Sequence, residues 1–232
     1  MKLKLNNYSG YCEKMITEKI ETIIFDLDGT LIDSLSDIAF ATNKALEFYD
    51  LPTHPIEAYR FFVGDGLATL LQRVVPEDRE KIIGRLKDKF TEFYMQNWDK
   101  TTQPYPGIIS MLNELSRASI KQCILSNKPD SFAQKCVERL LLDIEFMFVA
   151  GQRENIAKKP DPQGALEIAE YCNTAPEHCL FVGDTSVDIE TGIAAGMISV
   201  GVTWGFRSRK ELEEAGAHII ITKPEQLVRY VI

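Results

Sequence analysis

One pattern constrains this chain more than any other. Short, continuously apolar runs end abruptly in a polar or small residue, and stretches of helical periodicity separate them. The runs are Glu21 to Phe25, Lys121 to Leu125, Glu145 to Val149, His178 to Val182, Ile198 to Val202 and His218 to Ile221. Consecutive apolar, β-branched positions suit strands buried on both faces, as in a parallel sheet. Between them, Pro106-Gly107 opens a helix reaching about Ala118, with Ile108, Met111, Leu112 and Leu115 on one stripe. Asp130 is placed to cap a helix running to Leu142, with Phe132, Ala133, Val137 and Leu140 facing in. Further helices open at Asp161 or Pro162, at Ser186 or Asp188, and at Pro224. Strand, helix, strand at this spacing means right-handed crossovers, so the expected fold class is α/β with a doubly wound parallel sheet.

The first crossover breaks the rhythm, because about 95 residues separate Phe25 from Lys121. Residues 34–50 and 78–97 both carry amphipathic helical stripes, which makes this stretch an inserted, all-helical unit and a candidate lid. The expected division is a tail over 1–19, a core over 20–33 and 101–232, and a helical cap over 34–100. A hydrophobic share of 45% and a charged share of 26% supply an ordinary globular core. The net charge of -8 disfavours nucleic acid and anionic membrane surfaces as partners. No apolar run approaches the roughly 18 to 20 residues of a membrane span. The five cysteines are odd in number and form no CxxC pair, which suits a reducing compartment. The first residues lack the apolar core of a signal peptide, and Met15 is an alternative start. Cytoplasm is the default expectation, as a monomer or homodimer.

In open α/β sheets, ligands bind outside the carboxyl ends of the strands. The residues expected there are Asp26 and Asp28, Ser126 and Asn127, and Asp184 with Asp188; Lys159 lies in the loop after the third strand. Clustered carboxylates without His or Cys suit a hard cation, magnesium before zinc. A lysine and a hydroxyl beside them suit a phosphoryl group, whose oxygens need donors. Asp26 and Asp28 face one way along a strand; one can attack phosphorus while the other protonates the leaving oxygen. A calcium loop is set aside, because its sixth and twelfth positions would be Leu31 and Asp37. By itself, a pair of aspartates in a strand-ending turn is as readily structural as functional.

The four segments DLDGT at 26–30, SN at 126–127, KP at 159–160 and GDTSVD at 183–188 resemble the ordered motifs of the haloacid dehalogenase superfamily. The insert looks like that superfamily's C1-type helical cap. Val63 to Leu67, Tyr105 to Gly107 and Val202 to Phe206 are similar to segments of its phosphoglycolate phosphatases. The resemblance implies that Asp26 is the nucleophile and a Mg2+ ligand. It implies that Asp28 is general acid and then base, lending the metal its backbone carbonyl. Ser126 and Lys159 would hold the phosphoryl oxygens, with Lys159 also orienting Asp26. Asp184 would ligate the metal directly, and Asp188 would act through water or by positioning Lys159. Lys159 is chosen over Lys158 because the family lysine directly precedes the proline.

Dehalogenases of the superfamily lack the second aspartate, and its ATPases carry threonine there, so Asp28 favours hydrolysis of a phosphate ester. The expected activity is a magnesium-dependent phosphatase acting through an aspartyl-phosphate on a small phosphate ester, 2-phosphoglycolate first. A phosphosugar mutase, a pyrophosphatase or a nucleotidase is the alternative on the same core. A non-enzymatic, aspartate-phosphorylated regulator is the alternative from another class, disfavoured by the insert and by the Asp26-x-Asp28 spacing. Gly64, Gly66, Arg60, Asn127 and Lys128 are candidate substrate contacts. Arg60 and Lys128 are equally readable as surface cations, whereas His54, His178 and His218 do not cluster and read as structural.

Overall fold

The computed structural model describes residues 19–154 and 156–232. The expected tail therefore lies outside the described residues except for Lys19, and Cys12 lies outside them too. Among the described residues, eight strands run in chain order: β1 Thr22–Phe25, β2 Ile32–Asp33, β3 Gln103–Pro104, β4 Lys121–Pro129, β5 Phe148–Gln152, β6 Cys179–Gly183, β7 Ile198–Val202 and β8 Ile219–Ile221. The α-helices are α1 Leu35–Phe48, α2 Tyr59–Phe62, α3 Leu67–Val74, α4 Ile83–Asn97, α5 Ile108–Arg117, α6 Asp130–Leu140, α7 Gln163–Tyr171, α8 Ser186–Ala194, α9 Arg209–Glu214 and α10 Glu225–Val231.

Six strands form one parallel sheet in the order β5-β4-β1-β6-β7-β8. The order reverses between β1 and β6, which opens a crevice at their carboxyl ends. Alternate side chains explain why the strand sequences are apolar without a gap. Ile23 and Phe25 join Leu180, Val182, Met111, Leu112 and Leu115 in one buried cluster. Ile24 joins Cys123, Phe181, Ala165 and Ile168 in another. Each such full burial of a large side chain contributes about 1.5–3 kcal/mol.

The helical segment after β1 has an apolar cluster of its own. Ile38, Ala41 and Leu46 of α1 meet Leu70 and Leu71 of α3 and Leu86, Phe90 and Tyr94 of α4, and Phe132 and Phe206 join from the sheet side. The chain enters this segment through β2 and leaves it through β3, which pair antiparallel. Asp37, on the first turn of α1, accepts hydrogen bonds of 2.7 to 3.2 Å from the backbone N–H and hydroxyl groups of both Thr101 and Thr102. One buried carboxylate thus ties the entry of the helical segment to its exit.

Several boundaries differ from expectation. The third long strand begins at Phe148, not Glu145, because its ladder with β4 starts at Cys123↔Phe148. Asp130 does not cap α6: its Oδ1 accepts from the Gly151 N–H at 2.8 Å and tethers β5. The stripe over 78–97 is a 3-10 turn, Glu77–Ile82, followed by α4, since Ile82 alone in that turn is buried. Leu166 is exposed, so α7 buries Ala165, Ile168 and Ala169.

Candidate active site

Parallel registry brings the polar ends of three strands abreast. Phe25 pairs with Ile124 on one side and Val182 on the other. The Asp26 N–H then donates to the Val182 carbonyl at 2.8 Å. Asp26 thereby emerges at the switch point between Ser126 of β4 and Asp184, which follows β6.

Carboxylate oxygens of Asp26, Asp184 and Asp188 lie within 4.8 Å of one another, and all three residues are buried. Each is held. Asp184 accepts from the Thr30 hydroxyl at 3.2 Å and from the Phe206 N–H at 2.7 Å. Asp188 completes a capping box at the start of α8, where its Oδ2 accepts from Thr185 N–H at 3.0 Å and Thr185 Oγ1 at 2.7 Å. That leaves Asp188 Oδ1 for Lys159 Nζ at 2.6 Å. Backbone packs closely around Asp184: Gly29 sits at φ +90°, and a Cβ built on Gly29 or Gly205 would overlap the Asp184 carboxylate.

Lys159 Nζ also meets Asp26 Oδ1 at 2.7 Å. Burial favours the neutral form of Asp26 and, with the Asp188 charge, outweighs the pull of Lys159, so its carboxyl is pushed up to about 7. Burial and the charges of Asp188 and Asp26 raise Asp184 as well. Burial alone would lower Lys159, but the two carboxylates outweigh it and raise it. Three buried carboxyl groups stand against one ammonium. An all-oxygen donor set of this kind fits a hard divalent cation such as magnesium.

Asp28 sits beside this cluster. Its Oδ1 accepts from Ser34 Oγ at 2.6 Å, and both its oxygens lie 3.0 Å from Lys128 Nζ. Lys128 in turn reaches Tyr94 Oη at 2.7 Å. Burial would lower the Lys128 amine, yet Asp28 and Tyr94 hold it well above its ordinary value. A cavity of about 60 Å³, open to solvent, is lined by Asp26, Asp28, Ser126, Asn127 and Lys128 on the sheet side. Gly64, Gly66, Leu67, Leu70 and Phe90 are among the residues lining it from the helical segment.

The structure thus brings together Asp26, Asp28, Ser126, Asn127, Lys128, Lys159, Asp184, Asp188, Gly64 and Gly66. Asn127 spends its amide on the backbone, with bonds to Gly64 O and to Lys159 N and O. Lys128 is an interior strand residue, since β4 continues to Pro129 beyond a register shift. Arg60 is not brought in: its guanidinium binds Glu57 and the Gly205 carbonyl. Lys158 turns away to the Asp65 carbonyl and Thr69. Sequence reasoning missed Ser34, Tyr94, Thr30 and Phe206. Thr30 and Phe206 stood inside quoted motifs, whereas Ser34 and Tyr94 had no signal beyond their residue type.

Comparison with known proteins points the same way. The family model described as haloacid dehalogenase-like hydrolase matches residues 23–202. A phosphoglycolate phosphatase of Aquifex aeolicus is 32% identical over 210 residues, covering 90% of this chain and 96% of that protein. One from Neisseria gonorrhoeae is 31% identical over 216 residues, covering 91% and 90%. Among solved structures, a haloacid dehalogenase-like family hydrolase from Streptococcus pneumoniae superposes with a TM-score of 0.83 at 26% identity, covering 92% of this chain and 99% of that one.

Proposed function

The chain belongs to the haloacid dehalogenase-like hydrolases, and from that premise we propose that it is a magnesium-dependent phosphatase of a small phosphate ester, with 2-phosphoglycolate as the first substrate. The observation that carries this reading is the meeting of Asp26, Asp184, Asp188 and Lys159 at the switch point, beside a cavity that also contains Asp28 and Ser126. The phosphoglycolate phosphatases similar to this chain over nine-tenths of its length support the choice of substrate.

In the proposed reaction Asp26 attacks phosphorus, and the bond from phosphorus to the ester oxygen breaks. Asp28 gives its proton to that oxygen, and the alcohol leaves. Asp28 then takes a proton from water, which attacks phosphorus, breaks the bond to Asp26 and releases phosphate. Lys159 and the Ser126 hydroxyl are assigned to the phosphoryl oxygens, where charge spreads during transfer. Asp26, Asp184 and Asp188 would hold magnesium, with Asp28 lending its backbone carbonyl, and the bound ion would supply positive charge against the phosphoryl oxygens. Ser34 keeps Asp28 oriented, and Asn127 keeps Lys159 in register. Residues 34–100 serve as a cap over the core of 20–33 and 101–232, excluding water while the aspartyl-phosphate forms. An odd number of cysteines with no CxxC pair suits a cytoplasmic setting.

The test is phosphate release from 2-phosphoglycolate, hexose phosphates, pyrophosphate and nucleoside monophosphates, each with magnesium and with excess chelator. The expected result is metal-dependent turnover that is fastest on 2-phosphoglycolate. Undiminished turnover in chelator would refute the metal role, and no release from any ester would refute the phosphatase.

A further inference from the structure

We propose that Lys128, presented by Tyr94, selects substrates carrying a carboxylate on the carbon next to the ester oxygen; the inference rests on the phosphatase reading above. Among the described residues lining the cavity, Lys128 is the one cation. Its side chain is 4% exposed. Arg60 is engaged on Glu57 and Gly205, and Lys158 on the Asp65 carbonyl and Thr69; Arg207 bonds Glu211 and the Val63 carbonyl through Nε and Nη2, and its Nη1, buried without a partner among the described residues, is outside the cavity lining.

The placement follows from the reaction. Asp28 must touch the ester oxygen to protonate it, and Lys128 Nζ already lies 3.0 Å from both Asp28 oxygens. A carboxylate one carbon beyond the ester oxygen therefore falls against the same ammonium. Tyr94 Oη, 2.7 Å from Nζ, anchors the lysine from the opposite side of the cavity, with the ring centroid 4.9 Å away. The lysine keeps that anchor when a substrate anion shares or replaces its bond to Asp28. Ile38, Leu67, Leu70, Phe90 and Phe132 complete the wall. Apolar surroundings strengthen an ammonium–carboxylate contact. They also leave the hydroxyls of a sugar without partners, which costs binding. The cavity thus favours a short phosphorylated hydroxy acid over a phosphosugar.

A rival role for Lys128 is to hold Asp28 and nothing more, and a ratio of two substrates separates the roles. 2-Phosphoglycolate and 2-hydroxyethyl phosphate are of similar size, and both release an alkoxide that needs Asp28; the carboxylate alone distinguishes them. In the wild-type protein with magnesium, kcat/KM should favour 2-phosphoglycolate by on the order of 100-fold. Lys128→Met should collapse that ratio toward unity through KM for 2-phosphoglycolate. Tyr94→Phe, a milder change, should lower the ratio by several-fold. Circular dichroism checks that each variant folds, and if Lys128→Met does not, the wild-type ratio and Tyr94→Phe decide. Equal losses on both substrates, with the ratio unchanged, would overturn the proposal in favour of the rival role. Metal-dependent turnover of an aryl phosphate with no preference for 2-phosphoglycolate would overturn it too, while leaving the phosphatase standing. No turnover of any ester would remove both.

Discussion

Asn127 and Lys159 exchange two hydrogen bonds: Asn127 Oδ1 accepts from the Lys159 N–H at 2.9 Å, and Asn127 Nδ2 donates to the Lys159 carbonyl at 3.1 Å. The same Nδ2 donates to the Gly64 carbonyl of the helical segment at 3.1 Å. One amide thereby sets the backbone from which Lys159 reaches Asp26 and Asp188, and docks the Gly64–Gly66 loop on the sheet.

Asn127→Ala should therefore act on turnover more than on binding. A displacement of Lys159 by about 1 Å is enough to cost roughly 100-fold in rate. Steady-state kinetics on 2-phosphoglycolate measure it; the expected outcome is a large fall in kcat with a smaller change in KM. An unaltered kcat would show that Lys159 is positioned without Asn127.

The space around Asp184 offers a second test. A Cβ at Gly205 would overlap the Asp184 side chain and the Gly29 carbonyl. Gly205→Ala should push Asp184 out of place and weaken magnesium binding by on the order of 10- to 100-fold. Calorimetric titration of magnesium reads this directly, without substrate, and circular dichroism checks the fold. Wild-type affinity in the variant would show that Asp184 does not bind the ion.

Asp37 provides a stability prediction with a pH signature. Burial would raise its carboxyl, but the bonds from Thr101 and Thr102 outweigh burial and hold it below its ordinary value of 3.8. A folded value below the unfolded one stabilises the fold fully above the ordinary carboxylate range. That stabilisation drains as pH falls through 3.8 toward the lower folded value. Asp37→Asn should cost about 2–3 kcal/mol at neutral pH, since several bonds to a charged acceptor are lost or weakened. The Tm gap between wild type and variant should narrow between pH 6 and pH 3. A gap that stays constant over that range would contradict the account.

The same aspartate shows where sequence reading stops. Asp37 entered the sequence argument as a residue that spoils a calcium loop; its partners lie 64 and 65 positions away, and no local pattern announces them. Strands β1, β6 and β7 were legible because burial on both faces leaves an uninterrupted apolar run. Asp26, Asp184 and Ser126 were legible because a carboxylate or hydroxyl ending such a run has one place to go. The start of β5 was not, since Phe146 and Met147 are as apolar as the strand itself. The depth of Lys128 was missed because strand β4 continues through an irregular register. Tyr94 was hidden for another reason: on a helix it reads as one more apolar residue, and its hydroxyl finds Lys128 only after the helical segment folds against the sheet.

The central claim is that Asp26 carries the phosphoryl group during turnover. Rapid acid quenching of the enzyme with 2-phosphoglycolate and magnesium, followed by borohydride reduction, converts an aspartyl-phosphate to homoserine, which peptide mass spectrometry locates. The account predicts homoserine at position 26, lost in chelator and in Asp26→Asn, which should also release no phosphate. Homoserine at another aspartate, or phosphate release by Asp26→Asn without reversion to aspartate, would contradict it.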